Sequence, residues 1–254
     1  MSQPRVYQTE ALVLRRIAVG ETDRVVVLFT RDRGKLSAIA KGARRPLSRL
    51  GGGCEPFIQS TVQLAVGQNL DVLTQCRVER SFPGLRRDLE KVGYASYLLE
   101  LTDSGIAERQ PLPELWDLLV ATLSLLEDAT TPGLLTRAFE VSAMRVLGYE
   151  PELWHCLRDQ RPVDVPGSAF HPLRGGMLCP RCASSVSGGI PVAPITLALM
   201  RAMLERPLQE FQASEVGDAK RELARCLVPY VRHRLEAPLR SLQFLEDVAA
   251  APAA

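Results

Sequence analysis

Two groups of residues carry types and spacings that could do chemistry. The stretch RDRGKLSAIAKGARRPLSR holds seven cations, Arg31, Arg33, Lys35, Lys41, Arg44, Arg45 and Arg49, against the one acid Asp32, a local charge of +6 in a chain whose formal net charge is +2. Cations packed this densely suit a polyanion such as a nucleic-acid backbone, although a solvated basic face has the same composition. The second group is Cys179-Pro180-Arg181-Cys182, with Cys156 upstream. A CxxC knuckle presents two thiolates to one metal, and structural zinc takes four such ligands. Where a second CxxC would end, this chain has Asp159, so the fourth ligand is a choice among Asp159, His155 and His171. A degenerate knuckle that packs without metal is the other reading. A redox role is disfavoured because no βαβ pattern surrounds the pair.

A third constellation lies on a single helix. Arg137 and Val141 are one turn apart and Leu147 continues near the same side, so a guanidinium can stand beside an apolar floor. Such a corner suits a peptide that ends in an aromatic residue and a carboxylate. Core packing with an Arg stem laid over apolar surface gives the same pattern. No GxSxG, Walker loop or HExxH is present, and Gly51 to Gly53 lacks the Lys that would make a phosphate loop, so it reads as a hinge. His233, between Arg232 and Arg234, reads as part of a solvated basic face.

The elements that must position these groups fall into two periods. Residues 6–15, 22–30, 35–41, 57–66 and 70–79 read as strands, separated by Gly-containing turns. Leu36, Ala38 and Ala40 alternate with Ser37, Ile39 and Lys41, and Arg44, Arg45 and Arg49 follow on a loop expected to be mobile. Five strands within eighty residues is the count of an OB-fold. From residue 85 the apolar period becomes helical, with helices expected near 85–106, 113–129, 132–147, 194–211, 214–235 and 238–248. The fold class is therefore α+β: an N-terminal five-stranded OB-fold barrel over 1–80, a helical domain over 81–150 and 191–249, and a Cys-containing, zinc-finger-like insert over 151–190. Residues 250–254 are expected to be a disordered tail. Residues 1–80 hold 13 basic against 7 acidic side chains, so the positive charge sits on the barrel segment. No apolar run is long enough to span a membrane and MSQPRVYQTE has no signal core, so a cytoplasmic, non-membrane protein is expected. Six cysteines in that setting are read as thiols or metal ligands, with Cys54, Cys76 and Cys226 as buried thiols.

Several blocks resemble one known family. Glu10 with Val13-Leu14, ETDRVVVLFTRDRGKLSAIAKGARR from Glu21, CEPF from Cys54, FEVSAMRVLGYEP from Phe139 and GGMLCPRC from Gly175 together make the chain similar to the RecO family of bacterial DNA repair and recombination mediators. The resemblance covers nearly the full length. It implies an OB-fold, a helical domain and a zinc-binding or zinc-derived insert, and a protein without enzymatic turnover. Such a protein binds single- and double-stranded DNA, anneals complementary strands and, with RecR, helps load RecA onto DNA coated by single-stranded-DNA-binding protein. It is cytoplasmic and associated with the nucleoid during repair. It also contacts the acidic, Phe-ending tail of the coating protein. By the same resemblance Lys35, Lys41, Arg44 and Arg45 face DNA, and Arg137, Val141 and Leu147 form the tail pocket. Asp159 departs from the second CxxC and puts the metal in question. Few aromatics lie in the barrel segment (Tyr7, Phe29, Phe57), so backbone electrostatics rather than base stacking is expected to carry binding. An RNA-binding or ribosome-associated OB-fold protein is the alternative, and a zinc enzyme acting on nucleic acid a more remote one.

Overall fold

The computed structural model describes residues 5–164 and 166–250; beyond residue 250, the expected tail lies outside them. The chain forms two compact units, one of residues 1–88 with 99–117, the other of 89–98 with 118–254.

In the first unit, β1 (Val6–Val19), β2 (Asp23–Thr30), β3 (Gly34–Ala40), β4 (Gln59–Ala65) and β5 (Asp71–Arg80) form a closed barrel in the order β1-β2-β3-β5-β4. Every neighbouring pair is antiparallel except β3 and β5, which run parallel at Ala38 with Asp71 and Ile39 with Val72. The alternation read in the sequence is the alternation of the pleat: Leu36, Ala38 and Ala40 point inward with Val13, Val26, Leu28, Val62 and Leu64, while Lys35, Ser37 and Ile39 lie on the outer face. Phe57 has a left-handed backbone, φ 61°, so β4 starts at Gln59, two residues later than its β-forming residues suggest.

The helices are α1 (Leu89–Gly105), α2 (Pro113–Asp128), α3 (Pro132–Val146), α4 (Pro180–Ala183), α5 (Pro194–Glu205), α6 (Ala219–Leu235) and α7 (Ser241–Ala250). In the second unit, α3 is buried on every side from Pro132 to Met144. It begins with Pro132 at its first position and ends at Gly148, φ 83°, where Tyr149 N–H returns to the Met144 carbonyl at 2.7 Å. The helix expected over 194–211 stops at Glu205, because Pro207 cannot continue it, and resumes only as a 3-10 turn over Leu208–Phe211. The insert is more regular than its composition suggests. β6 (Ala169–His171), β7 (Gly176–Leu178) and β8 (Ile190–Pro191) make a small antiparallel sheet in the order β7-β6-β8.

Candidate nucleic-acid interface and metal centre

The seven basic residues divide by what they touch. Arg31 and Arg33 occupy the exposed β2–β3 turn; Arg31 pairs with Asp117 at 3.0 Å, and the Arg33 guanidinium lies 4.1 Å from the centre of the Tyr7 ring. The turn is shaped by Gly34, φ 71°, whose added Cβ would sit 2.1 Å from the Gln110 carbonyl oxygen. Lys35 is committed elsewhere: its Nζ donates to the Asp103 carbonyl at 2.6 Å and pairs with the Asp103 carboxylate at 3.1 Å, both side chains being largely shielded. Arg15 reaches the same carboxylate at 2.6 Å.

Lys41, Arg44, Arg45 and Arg49 are exposed and project from the segment that follows β3. That segment, expected to be mobile, is a run of tight turns: Ala43, Arg45, Ser48, Gly51 and Cys54 each donate a backbone bond to the carbonyl three residues back. It is tied to the β1–β2 turn where Arg44 N–H meets the Thr22 carbonyl and Arg44 Nη1 meets the Gly20 carbonyl, both at 2.9 Å. Asp23 accepts from the Gly42 N–H at 2.7 Å, the main reason its carboxyl titrates below the usual range. The glycine run read as a hinge is part of the packing, since a Cβ on Gly53 would fall 2.0 Å from Cys76 Sγ. Cys54 is buried, as expected, whereas Cys76 is only half-buried. At the loop's tip Leu47 is 97 % exposed. Tyr7, Phe29 and Phe57 are all buried, so none of these rings offers a face to a base.

In the insert, Cys156, Asp159, Cys179 and Cys182 bring three sulfurs and a carboxylate oxygen within 4.8 Å of one another. Asp159 stands three residues after Cys156, so two knuckles face each other with one thiolate replaced by a carboxylate. Burial works against ionising Cys156, but backbone N–H groups of Cys179, Asp159 and Arg158 point at its sulfur and lower its pKa overall. Burial, with Cys179 and Cys156 beside it, pushes the Cys182 thiol up to about 12. The Cys156 thiol beside Asp159 is the main reason that carboxyl lies at about 2, and Arg181 Nη2 meets it at 3.1 Å. A tetrahedral ion with bonds of about 2.3 Å to sulfur needs ligand atoms roughly 3.8 Å apart. The Cys179 sulfur and the Asp159 carboxylate are already 3.5 Å apart, so this donor set could hold a metal ion. His155 and His171 stand outside the cluster: His155 pairs with Glu152, and His171 Nε2 meets the Ser187 carbonyl.

On α3, Arg137 is 4 % exposed, Val141 is fully buried and Leu147 half-buried. The Arg137 guanidinium pairs with Glu140 at 2.8 Å and lies 5.6 Å from the centre of the Tyr97 ring, whose hydroxyl donates to the same carboxylate. It faces the interior rather than snorkelling to water. The structure also gathers residues that the sequence does not single out. Arg158, Arg174, Ser185 and Ser187, from three separate segments, line one open cavity. No spacing rule connects them.

Among the described residues no helix is long and apolar enough to cross a membrane. Comparison with known proteins matches residues 1–82 to the family "Recombination protein O N terminal" and residues 86–243 to "Recombination protein O C terminal". A protein of Roseiflexus sp. called DNA repair protein RecO is 36% identical over 96% of this chain and 86% of its own length. Its namesakes in Desulforudis audaxviator and Anaeromyxobacter dehalogenans are each 39% identical, over 95% and 93% of this chain and 97% and 94% of their own lengths.

Proposed function

The chain belongs to the recombination protein O (RecO) family, and on that premise we propose that it acts in DNA repair and recombination as a mediator that binds DNA through its backbone. The observation that carries this reading is the turn-rich loop after β3. Lys41, Arg45 and Arg49 are exposed there with no ion-pair partner among the described residues, and Arg44 is held only by neutral carbonyls. Exposed, pre-positioned cations neutralise phosphates; Lys41 and Arg45 help hold the Asp23 pKa down from beyond ion-pair distance, while Lys35, committed to Asp103, serves to fix the barrel wall. With the barrel aromatics buried, affinity rests on charge and is insensitive to base sequence. Two strands bound this way lose the mutual repulsion that opposes annealing, and with RecR such a protein helps load RecA onto single strands coated by their binding protein. The acidic, Phe-ending tail of that coating protein is proposed to dock at the Arg137, Val141 and Leu147 corner. Since Arg137 is paired with Glu140, docking there requires a tail carboxylate to displace Glu140, and Leu147 is the side chain of the three that already offers surface.

The test is strand annealing and binding by the whole protein across a salt series, with Arg44→Ala/Arg45→Ala alongside. Losing two phosphate contacts lowers the slope of log affinity against log salt by about 1.4 on single strands and about 1.8 on duplex. Binding that is unaltered in slope and affinity overturns the loop assignment. Equal or tighter binding of the matched RNA strand favours the RNA-binding alternative.

Zinc is the metal proposed for the Cys156, Asp159, Cys179 and Cys182 set, because three sulfurs and one oxygen in a closed group suit a structural zinc site. Stoichiometric zinc in the purified protein, lost in Cys179→Ser, is the expected result. Replacing Asp159→Cys tightens retention against a chelator.

A further inference from the structure

We propose that the insert carries a second phosphate-binding site, made by Arg158, Arg174, Ser185 and Ser187, which takes a backbone phosphate of the bound nucleic acid. This deepens, and rests on, the DNA-binding reading above. The four residues and Val186 line a cavity of about 390 Å³ in which Val186 is the one apolar side chain and no carboxylate takes part. Such a lining suits an anion and offers little to an apolar ligand.

The lining is held in place rather than merely solvated. Arg158 comes from the turn between Cys156 and Gln160, closed by Gln160 N–H on the Cys156 carbonyl at 2.9 Å. Its Nη1 donates to Ser185 Oγ at 2.9 Å, and that hydroxyl donates on to the Cys182 carbonyl at 3.1 Å. Arg174 belongs to the β6–β7 turn, which ends in Gly175 at φ 75°; the Arg174 carbonyl is held by Arg234 Nη2 at 2.8 Å. His171 ties this turn to the third segment. Its Nε2 meets the Ser187 carbonyl at 3.1 Å and its Nδ1 faces the Arg174 N–H at 3.4 Å. A carbonyl can only accept, so Nε2 donates to Ser187, while the Arg174 N–H is shared between Nδ1 and the His171 carbonyl at 3.2 Å. The ring is 6 % exposed and acts as a positioning residue for the two rims.

Arg158 and Arg174 therefore line one open cavity, and neither is ion-paired among the described residues. Phosphate matches this arrangement: guanidinium groups bind it through paired hydrogen bonds, and its remaining oxygens accept from hydroxyls such as that of Ser187. An open cavity favours a phosphodiester within a continuous strand, which must enter and leave, over an enclosed terminal phosphate. The chain then holds nucleic acid through two separate sets of cations.

The experiment measures oligonucleotide binding by the full-length protein across a salt series, using wild type, Arg158→Gln/Arg174→Gln, Arg44→Ala/Arg45→Ala and the combined variant. The expected result for the insert variant is a slope on single strands lower by about 1.4, from two phosphate contacts at about 0.7 each, with the combined variant showing the sum of both losses. Arg158→Lys/Arg174→Lys keeps the charge and is expected to recover most of the slope, which separates lost electrostatics from a damaged insert. Wild-type slope and affinity in Arg158→Gln/Arg174→Gln, while Arg44→Ala/Arg45→Ala is weakened, overturn the second site and leave the proposed function standing, even if a phosphorylated peptide binds the cavity. No binding of nucleic acid by the wild type overturns both.

Discussion

Glu140 is a carboxylate with no exposed surface, held between Arg137 at 2.8 Å and the Tyr97 hydroxyl. Burial outweighs both partners and pushes its pKa from 4.5 up to about 7. The folded protein therefore holds a proton that the unfolded chain has released. That contribution is fully present below pH 4.5 and is lost as pH rises towards 7. Stability is expected to fall across that window, relative to Glu140→Gln, by on the order of 3 kcal/mol. Denaturant titrations of the two proteins at several pH values measure the difference, and parallel curves contradict it. Arg137→Ala removes the ion-pair partner of this carboxylate and is expected to cost about 3 kcal/mol or more at neutral pH, part of which Arg137→Ala/Glu140→Gln recovers. The sequence displayed Arg137 as a helical cation but could not show that its partner lies one turn on within the core. Lys35 hides in the same way: its cation is obvious, while Asp103, which claims it, lies 68 residues later. The cysteines were legible because their chemistry needs no neighbour to be recognised, and Asp159 because knuckle spacing points to its position.

Elements were legible where a period ran long enough to declare a face. β3 alternates through seven residues, and β2 is a run of β-forming residues whose last five are all buried, so the barrel could be read almost strand by strand. β6 and β7 have three residues each and β8 two, too few for any alternation to stand out from the Gly, Pro and Cys around them. The β2–β3 turn depends on a different kind of information. Gly34 reads in sequence as a turn residue, yet the stronger demand on it is the Gln110 carbonyl, 2.1 Å from where a Cβ would stand. Gly34→Ala combines a left-handed backbone with a clash against main chain, neither of which a side-chain rotation relieves. The expected loss is about 2–4 kcal/mol of unfolding free energy. A thermal melt within error of wild type would show that residues 108–110 give way at little cost.

For the molecule as a whole, the charge asymmetry read from composition corresponds to the basic loop of the first unit, and the candidate metal-binding cluster belongs to the second. Chelation is therefore expected to act locally. With zinc removed, amide exchange should accelerate through Leu153–Val163 and β6 to β8, while β1 to β5 keep their protection. Uniform acceleration over both units would count against a local metal site. The first unit includes residues 99–117, so a nascent chain that has finished β5 still lacks Asp103 for Lys35 and Arg15, Gln110 beside Gly34, and the Trp116 ring that meets Phe29 at 5.6 Å. At about 5–20 residues per second, roughly 2–7 s of translation separate the last barrel strand from Asp117. Until then the Phe29 ring, on the outer face of β2, has no Trp116 to cover it, and the timetable of translation sets the earliest moment at which that face can be sealed.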